Sequence, residues 1–362
     1  MKIVICGLSI TSSWGNGHAT TYRALARALH SRGHDVVFFE RDLEWYGSNR
    51  DMPEPPFCRT IVYESWRDIM PRMRREFDEC DVAMVGSYCP DGLNAIEAML
   101  DSNASVKAFY DIDTPITVAK LESNNAEYLK REHVPEFDLY FSFTGGPMLE
   151  GLERKYRARR AVPLYCSFDP QSSIKPQTQS FVCDLSYMGT FAADRQQTLN
   201  EFLCVPAERL PHRRFRVAGP QYPADLKWPA NVARITHLEP KLHADFYVSS
   251  RLTLNITRKL MIEAGYSPSV RLFEAAGYGA AIISDYWPGL ETFFERGDEI
   301  LIANKAADVV AYIEQMNDDT LRRIGRNAQE RVLQEHSSIT RAVEFEKYVT
   351  EAARVRPVAA TF

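Results

Sequence analysis

The sequence predicts an α/β protein built from two doubly wound domains, and three observations carry that prediction. Short, continuous apolar runs alternate with amphipathic helical segments, the pattern of a parallel sheet covered on both faces. The alternation stops at a polar stretch with two prolines, residues 169–180 (DPQSSIKPQTQS), and then restarts. The length of 362 residues suits two domains of about 150 to 200 residues each.

Taken in order, residues 3–6 form the first apolar run, which ends at Gly7. A polar loop over 11–17 follows, after which Tyr22, Leu25, Ala26 and Leu29 fall at helical spacing. Gly33 stops that helix before a buried strand at 36–39. Runs at 82–85, 106–110 and 139–143 predict further strands, with helices at 67–78, 92–100 and 147–157. Beyond the linker, 185–188 reads as a strand ending at Gly189, 195–203 as a helix, and 215–218 as a strand ending at Gly219. Strands are expected at 252–256, 280–284 and 300–303, and helices at 268–277 and 290–296. Residues 306–354 read as almost wholly helical. The expected parts are a first domain over 1–168, a second over 181–337, and a C-terminal helical segment over 338–362. Open α/β sheets bind ligands beyond the carboxyl ends of their strands, so the site is expected in a cleft where the two domains face each other.

Composition narrows the function. A hydrophobic share of 45% with 25% charged residues is ordinary for a globular chain. The net charge of −5 argues against a protein that depends on polyanion binding. Seven scattered cysteines without a C-x-x-C pair fit reduced thiols and a cytoplasmic setting. No opening stretch suits a signal peptide, and no run approaches the roughly 18 apolar residues of a transmembrane segment.

Chemistry is expected at four turns. The loop SSWGNGH holds Trp14, Gly15, Asn16, Gly17 and His18 between a strand and a helix N-terminus, where the backbone and helix dipole favour an anion. Its glycine spacing is not G-x-G-x-x-G, so a nicotinamide or flavin site is poorly supported. His18 there either deprotonates a hydroxyl or merely ties the loop. In AFYDIDT, Asp111 and Asp113 point the same way if extended. They then serve as a base or acceptor ligand, as a metal clamp, or as the cap of a helix starting near Pro115. The motif alone supplies too few ligands for a metal, and none is expected. Thr144, Gly145 and Gly146 form another strand-to-helix turn, either a ligand loop or a structural one. Residues 154–160 (RKYRARR) are a solvated helix face or a surface for an anionic partner.

The richest segment runs from 255 to 299. Asn255 and Arg258 end a strand, Ser267 is placed as a helix cap with Pro268 in the first turn, and Ser269 follows. Arg271 and Glu274, three residues apart, share a helical face. A helix N-terminus with an arginine suits a diphosphate, and a carboxylate one turn on suits the hydroxyls of a ribose. Together these requirements describe a nucleoside diphosphate.

At these residues the chain resembles the CgeB-like (spore maturation protein) group of GT-B glycosyltransferases. The resemblance rests on SPSVRLFEAAGYGAAIISDYWPGLETFF and GDEIL within 267–301, on Asn255–Arg258, on DLSYMGTFAADR at 184–195, and on RGHDV at 32–36. It implies two Rossmann-like domains, the second binding the sugar donor and the first the acceptor, with the last helix crossing back to the first domain. It implies that Glu274 holds the donor ribose, and that Gly189, Thr190 and Arg195 face the diphosphate. Related retaining enzymes carry a glutamate eight positions before the ribose glutamate. Here that position is Tyr266, so the stereochemical outcome does not carry over.

The expected function is metal-independent transfer of a sugar from a nucleotide sugar, a UDP-sugar by preference, with no cofactor. The acceptor stays open among glycan, small molecule, protein and modified DNA, and oligomeric state is not readable. The rivals are a non-hydrolysing nucleotide-sugar epimerase, a glucosyltransferase acting on hydroxymethylated DNA bases, and a non-catalytic nucleotide-sugar binding protein.

Overall fold

In the computed structural model, every residue is described except 16, 173, 174, 177–179 and 356–362. The chain divides into two compact units, one comprising Met1–Cys166 together with the segment from Ser338 onward, the other Ser167–Ser337.

The first unit holds a seven-stranded parallel sheet: β1 (Lys2–Gly7), β2 (Asp35–Arg41), β3 (Arg59–Tyr63), β4 (Val82–Gly86), β5 (Val106–Asp111), β6 (Leu139–Ser142) and β7 (Ala161–Pro163). Their spatial order is β3-β2-β1-β4-β5-β6-β7. The central strands are buried from end to end, as continuous apolar runs on a two-sided sheet require. Helices Trp66–Asp78 and Gly92–Leu100 pack one core around Met73, Phe77, Ile96 and Met99. The last helix, Ser338–Val355, lies against helix Gly17–Ser31 and strands β5 and β6. Glu346 on it receives Arg32 (2.6 Å) and His34 (2.8 Å), and Phe345 stacks on Phe141.

The second unit holds a six-stranded parallel sheet: β8 (Cys183–Met188), β9 (Phe215–Ala218), β10 (Val232–Ile235), β11 (Ser250–Asn255), β12 (Ile282–Ser284) and β13 (Leu301–Ile302). Its order is β10-β9-β8-β11-β12-β13. Strand order therefore reverses between β1 and β4 in the first unit and between β8 and β11 in the second. Ligand crevices of doubly wound sheets open at such switch points, at the carboxyl ends of the strands.

The strand differences from the sequence expectation lie at the sheet edges. Strands β3, β7 and β10 were not expected, and β13, within the expected 300–303 run, is only two residues long; these are the four sheet edges. β3 and β10 expose part of one face and so lack the apolar run that marks a central strand, and β7 is only three residues long. The helix expected at 290–296 is reduced to one 3₁₀ turn, Leu290–Thr292, between Gly289 and Gly297, both at positive φ, although Trp287, Leu290, Phe293 and Phe294 are all buried at spacings a helical face would allow. The helix expected at 195–203 is Ala193–Leu199 followed by a π-helical turn over Asn200–Cys204.

Candidate active site

In the second unit the turn after β8 begins at Gly189, whose N–H bonds the Ala218 carbonyl (2.9 Å). A Cβ at Gly189 would lie 2.7 Å from both Arg271 Nη2 and the Tyr187 hydroxyl, so glycine is required for Arg271 to cross the turn. Arg271 donates to the Met188 carbonyl and to Asn255 Oδ1 (3.2 Å), and its guanidinium lies 4.8 Å from the centre of the Tyr187 ring. Arg195 donates to the Thr190 carbonyl (2.7 Å), and its buried Nε has no partner among the described residues. Burial lowers the Arg195 guanidinium from its ordinary value, and the Arg271 and Arg258 charges add to that against the opposing pull of Tyr187. Arg258 is the more exposed of the three and reaches Asp194 (3.1 Å). Two further positive charges acting on Arg195, with Arg258 paired to the half-exposed Asp194, make a place prepared for an anion.

Neutral groups build the frame around it. Asn255, fully buried at the end of β11, donates to Ser284 Oγ (2.9 Å) and Thr257 Oγ1 (3.3 Å) and accepts from Ser269 Oγ (2.8 Å). Ser269, not Ser267, holds the N-cap position of helix Val270–Gly277. Ser267 is buried with its hydroxyl toward the Met261 sulfur, two residues before the N-cap, so it is spent on packing and not on the helix start. Tyr266 sits at φ +47°, its N–H on the Pro288 carbonyl (2.7 Å) and its ring over Gly289, where a Cβ would come within 2.5 Å of it. A bulky residue in the left-handed region marks strain that the surroundings sustain.

One turn along that helix, Glu274 accepts from His243 Nδ1 (2.7 Å) and the Tyr247 hydroxyl (3.2 Å). Burial works to raise the Glu274 carboxyl, but the charge and hydrogen bond of His243, the Tyr247 hydroxyl and Arg271 outweigh it, and the group lies below its ordinary value. It is therefore an ionised acceptor.

In the first unit the loop after β1 is closed from within. Glu40, fully buried at the end of β2, accepts from the Ile10 and Thr11 N–H groups (2.6 and 2.9 Å) and from the Ser9 and Thr11 hydroxyls (3.0 and 2.6 Å). Arg23 holds the Ile10 carbonyl (2.7 Å) and makes a two-point pair with Asp51, which takes the Ser13 N–H (2.8 Å). Burial pushes Asp51 up, yet the Arg23 hydrogen bond and charge, with Ser13, bring it down to about 2. Trp14 is half-buried, Gly15 turns at φ +60° into open space, Asn16 lies outside the described residues, and Gly17 begins the helix.

His18 follows, its Nε2 3.9 Å from Asp113 Oδ2 and its ring edge-on to Tyr88 at 5.1 Å. Burial lowers the His18 imidazole below its ordinary value, with Asp113 pulling the other way, so the ring is unprotonated near neutral pH and can accept a proton. Tyr88, at φ +60°, donates to Asp113 (3.2 Å), and Lys120 Nζ lies 5.4 Å from the centre of its ring. Asp113 occupies the N-cap position of helix Thr114–Glu122 but makes no capping bond, so its carboxylate is not spent there. Asp111 does not point the same way. It is fully buried, accepts from Tyr140 (2.6 Å) and Thr117 (2.7 Å), and takes the Asp113 N–H (3.3 Å); burial pushes it up to about 6. The chain leaves the strand after Asp111 and turns at Ile112 and Asp113 before the helix begins at Thr114, which ends the alternation an extended strand would impose. Thr144 and Gly145 are buried with their turn closed on Ser142, while Gly146 is exposed at φ +57°.

The basic stretch at 154–160 is largely matched by acids: Arg154 by Glu150, Lys155 by Glu122, Arg159 by Asp138 and Glu136, and Arg160 by Glu351. Among the described residues no group of three or more His, Cys, Asp or Glu is placed to hold a metal ion, and no helix is long and apolar enough to cross a membrane. All seven cysteines are free thiols. Sequence reasoning missed Glu40, Arg23, Asp51, Tyr88, His243 and Tyr247. Each acts on a partner distant in sequence and carries no local signature.

Residues 195–347 match a protein-family model described as glycosyl transferase-like. No curated protein sequence matches the chain significantly. Among solved structures it is similar to sucrose-phosphate synthase from Thermosynechococcus elongatus, with a TM-score of 0.69, 13% identity, and 98% of this chain and 100% of that one covered. It is similar to Anabaena HepE in complex with UDP and glucose, with a TM-score of 0.68, 12% identity, and 97% and 100% covered. An α-glucosyltransferase in complex with UDP-glucose and DNA containing an abasic site gives a TM-score of 0.71 at 12% identity, with 97% and 100% covered. The fold is GT-B, and with the family match over the second unit the chain is a glycosyltransferase.

Proposed function

We propose that the chain, a CgeB-like enzyme of the cytoplasm, moves a sugar from a uridine diphosphate sugar to an acceptor hydroxyl without a divalent metal. The observation that carries this reading is Arg195 and Arg271 at the Gly189–Thr190 turn, with Arg258 near enough to act on Arg195 and the ionised Glu274 one helical turn beyond Arg271. The arginines suit the two phosphates and Glu274 the ribose hydroxyls. The neighbours bound to UDP and UDP-glucose make uridine the first base to try.

Bond cleavage at the anomeric carbon leaves charge on the departing diphosphate, through a transition state with oxocarbenium character. Fixed guanidinium groups stabilise that charge as a metal ion would. In the first unit His18 takes the acceptor proton, and Asp113, steadied by Tyr88 and by its N–H on Asp111, stabilises the imidazolium that results. Asp111 supports that arrangement and does not touch substrate.

The test is calorimetric titration with UDP, GDP, dTDP and CMP, with and without EDTA, alongside a screen for UDP release from UDP-sugars over acceptor mixtures. UDP is expected to bind whether or not EDTA is present, and Arg271→Ala to weaken it about 10- to 100-fold, the worth of a charge-assisted contact. Absence of binding by every nucleotide would sink the donor-site reading.

A further inference from the structure

His243 lies 31 residues before Glu274 in the chain, in helix His243–Val248, and its ring is only 21% exposed. Its Nδ1 meets Glu274 Oε1 at 2.7 Å and its Nε2 meets the Leu238 carbonyl at 3.3 Å. A carbonyl oxygen only accepts, and an ionised carboxylate only accepts. Both ring nitrogens must then donate, which is possible only for the imidazolium. The two glutamate oxygens are divided: Oε1 takes His243 and Oε2 takes the Tyr247 hydroxyl. That fixes the plane of the carboxylate while leaving lone pairs on both oxygens for two further donors.

We propose that protonated His243, with Tyr247, is a positioning residue that aims Glu274 at the donor's ribose hydroxyls, so that recognition of the ribose is lost as the imidazole is deprotonated. This rests on the reading of Glu274 as the ribose ligand. Ribose hydroxyls donate to a carboxylate, so they need it ionised and correctly turned. A neutral imidazole would present a lone pair either to Glu274 or to Leu238, and one of the two contacts would turn repulsive.

Charged and titratable groups near the ring include those from three elements. Helix Val270–Gly277 supplies Glu274 and, near it, Arg271, which favours an ionised Glu274. His243's own helix supplies Tyr247, which also lies near Tyr278 at the end of helix Val270–Gly277. The segment before it supplies the Leu238 carbonyl, while Glu239 is turned to Lys241 (2.5 Å).

The experiment compares UDP with 2′,3′-dideoxy-UDP, titrated calorimetrically from about pH 6 to about pH 9 against wild type, His243→Ala and Glu274→Ala. The dideoxy ligand keeps the diphosphate and loses both ribose hydroxyls. Wild type is expected to prefer UDP about 10-fold or more at the acid end, with the preference shrinking as pH rises. Glu274→Ala should erase the preference at every pH. His243→Ala should reduce it to about threefold or less and leave it flat with pH, while affinity for the dideoxy ligand stays at the wild-type value. A merely structural role would weaken both ligands alike, and that result overturns the proposal. So does a His243→Ala variant that keeps the full, pH-dependent preference when Glu274→Ala has lost it. If Glu274→Ala itself retains the preference, the ribose reading fails first and this inference falls with it.

Discussion

In the first unit the turn after β1 closes on Glu40, whose carboxylate takes the Ile10 and Thr11 amides; in the second the turn after β8 lies between Arg195 and Arg271, with Arg258 near Arg195. The strand ends differ in the same sense. Asp111 closes β5 with a buried carboxyl, whereas Asn255 closes β11 with a buried amide that shares its oxygen with Arg271. A carboxylate at 255 would neutralise the arginine beside it. The one strand-end acid of the second unit, Asp285, is pushed up by burial, toward its neutral form. Two units with the same strand order thus reach opposite electrostatic outcomes. The first satisfies its turns with its own anions and sets a histidine beside Asp113. The second uses Asn255, Ser269 and Ser284 around Arg271, with Asp285 on Thr257, and leaves cationic capacity for a diphosphate. Topology supplies two equivalent switch points, and the side chains that finish the turns decide which receives the phosphates.

The largest effect that sharpens this division is on turnover. His18→Ala is expected to lower the rate of transfer by about 10²- to 10⁴-fold, the usual worth of a general base. Affinity for UDP should not change, because the anion site belongs to the other unit. Initial rates with the acceptor found by the UDP-release screen, set beside calorimetry, make the check. A comparable loss of UDP affinity would break the division of labour.

Next in size is Glu40→Ala. It strands the Ile10 and Thr11 amides in a buried loop, at about 1–3 kcal/mol each, and a loss near 4 kcal/mol is expected in urea denaturation. If the loop differs from its counterpart only by carrying its own anion, sulfate should stabilise this variant more than it stabilises wild type, by occupying the vacated amides. An identical sulfate response in the two proteins would count against that account.

The two regions also differ in how much of them the sequence discloses. Central strands and the glycine turns at 7, 189 and 219 are legible because burial on two faces forces continuous apolar runs. Arg271 and Glu274 are legible because three residues separate them and a helix turns that spacing into a shared face. Glu40 is not, since a glutamate after FF at a strand end looks like the first surface charge beyond the core. Tyr140 reads as core, although its hydroxyl is spent on Asp111. Tyr88 becomes informative only through its positive φ and its reach to Asp113, which no local pattern encodes. The donor side is written in neighbouring residues and the acceptor side in distant ones.

The smallest expected effect concerns the buried acid itself. In the folded chain Asp111 is raised to about 6 from its ordinary 3.8, by burial first, against the hydrogen bonds of Tyr140 and Thr117. Between those two values the folded state holds a proton that the unfolded chain has released. Stability must therefore fall as pH rises through that window, by at most about 3 kcal/mol, and the loss is complete above about 6. Asn255 in the second unit contributes no such term. Asp111→Asn should make the first unit resemble the second in this respect, whatever its absolute stability. The quantity to measure is the difference in unfolding free energy between wild type and the variant, by urea titration at intervals from about pH 4 to about pH 7. That difference should shift steadily in the variant's favour as pH rises. A constant difference would mean that Asp111 titrates normally in the folded protein, and the contrast between the two strand ends would then be one of shape rather than charge.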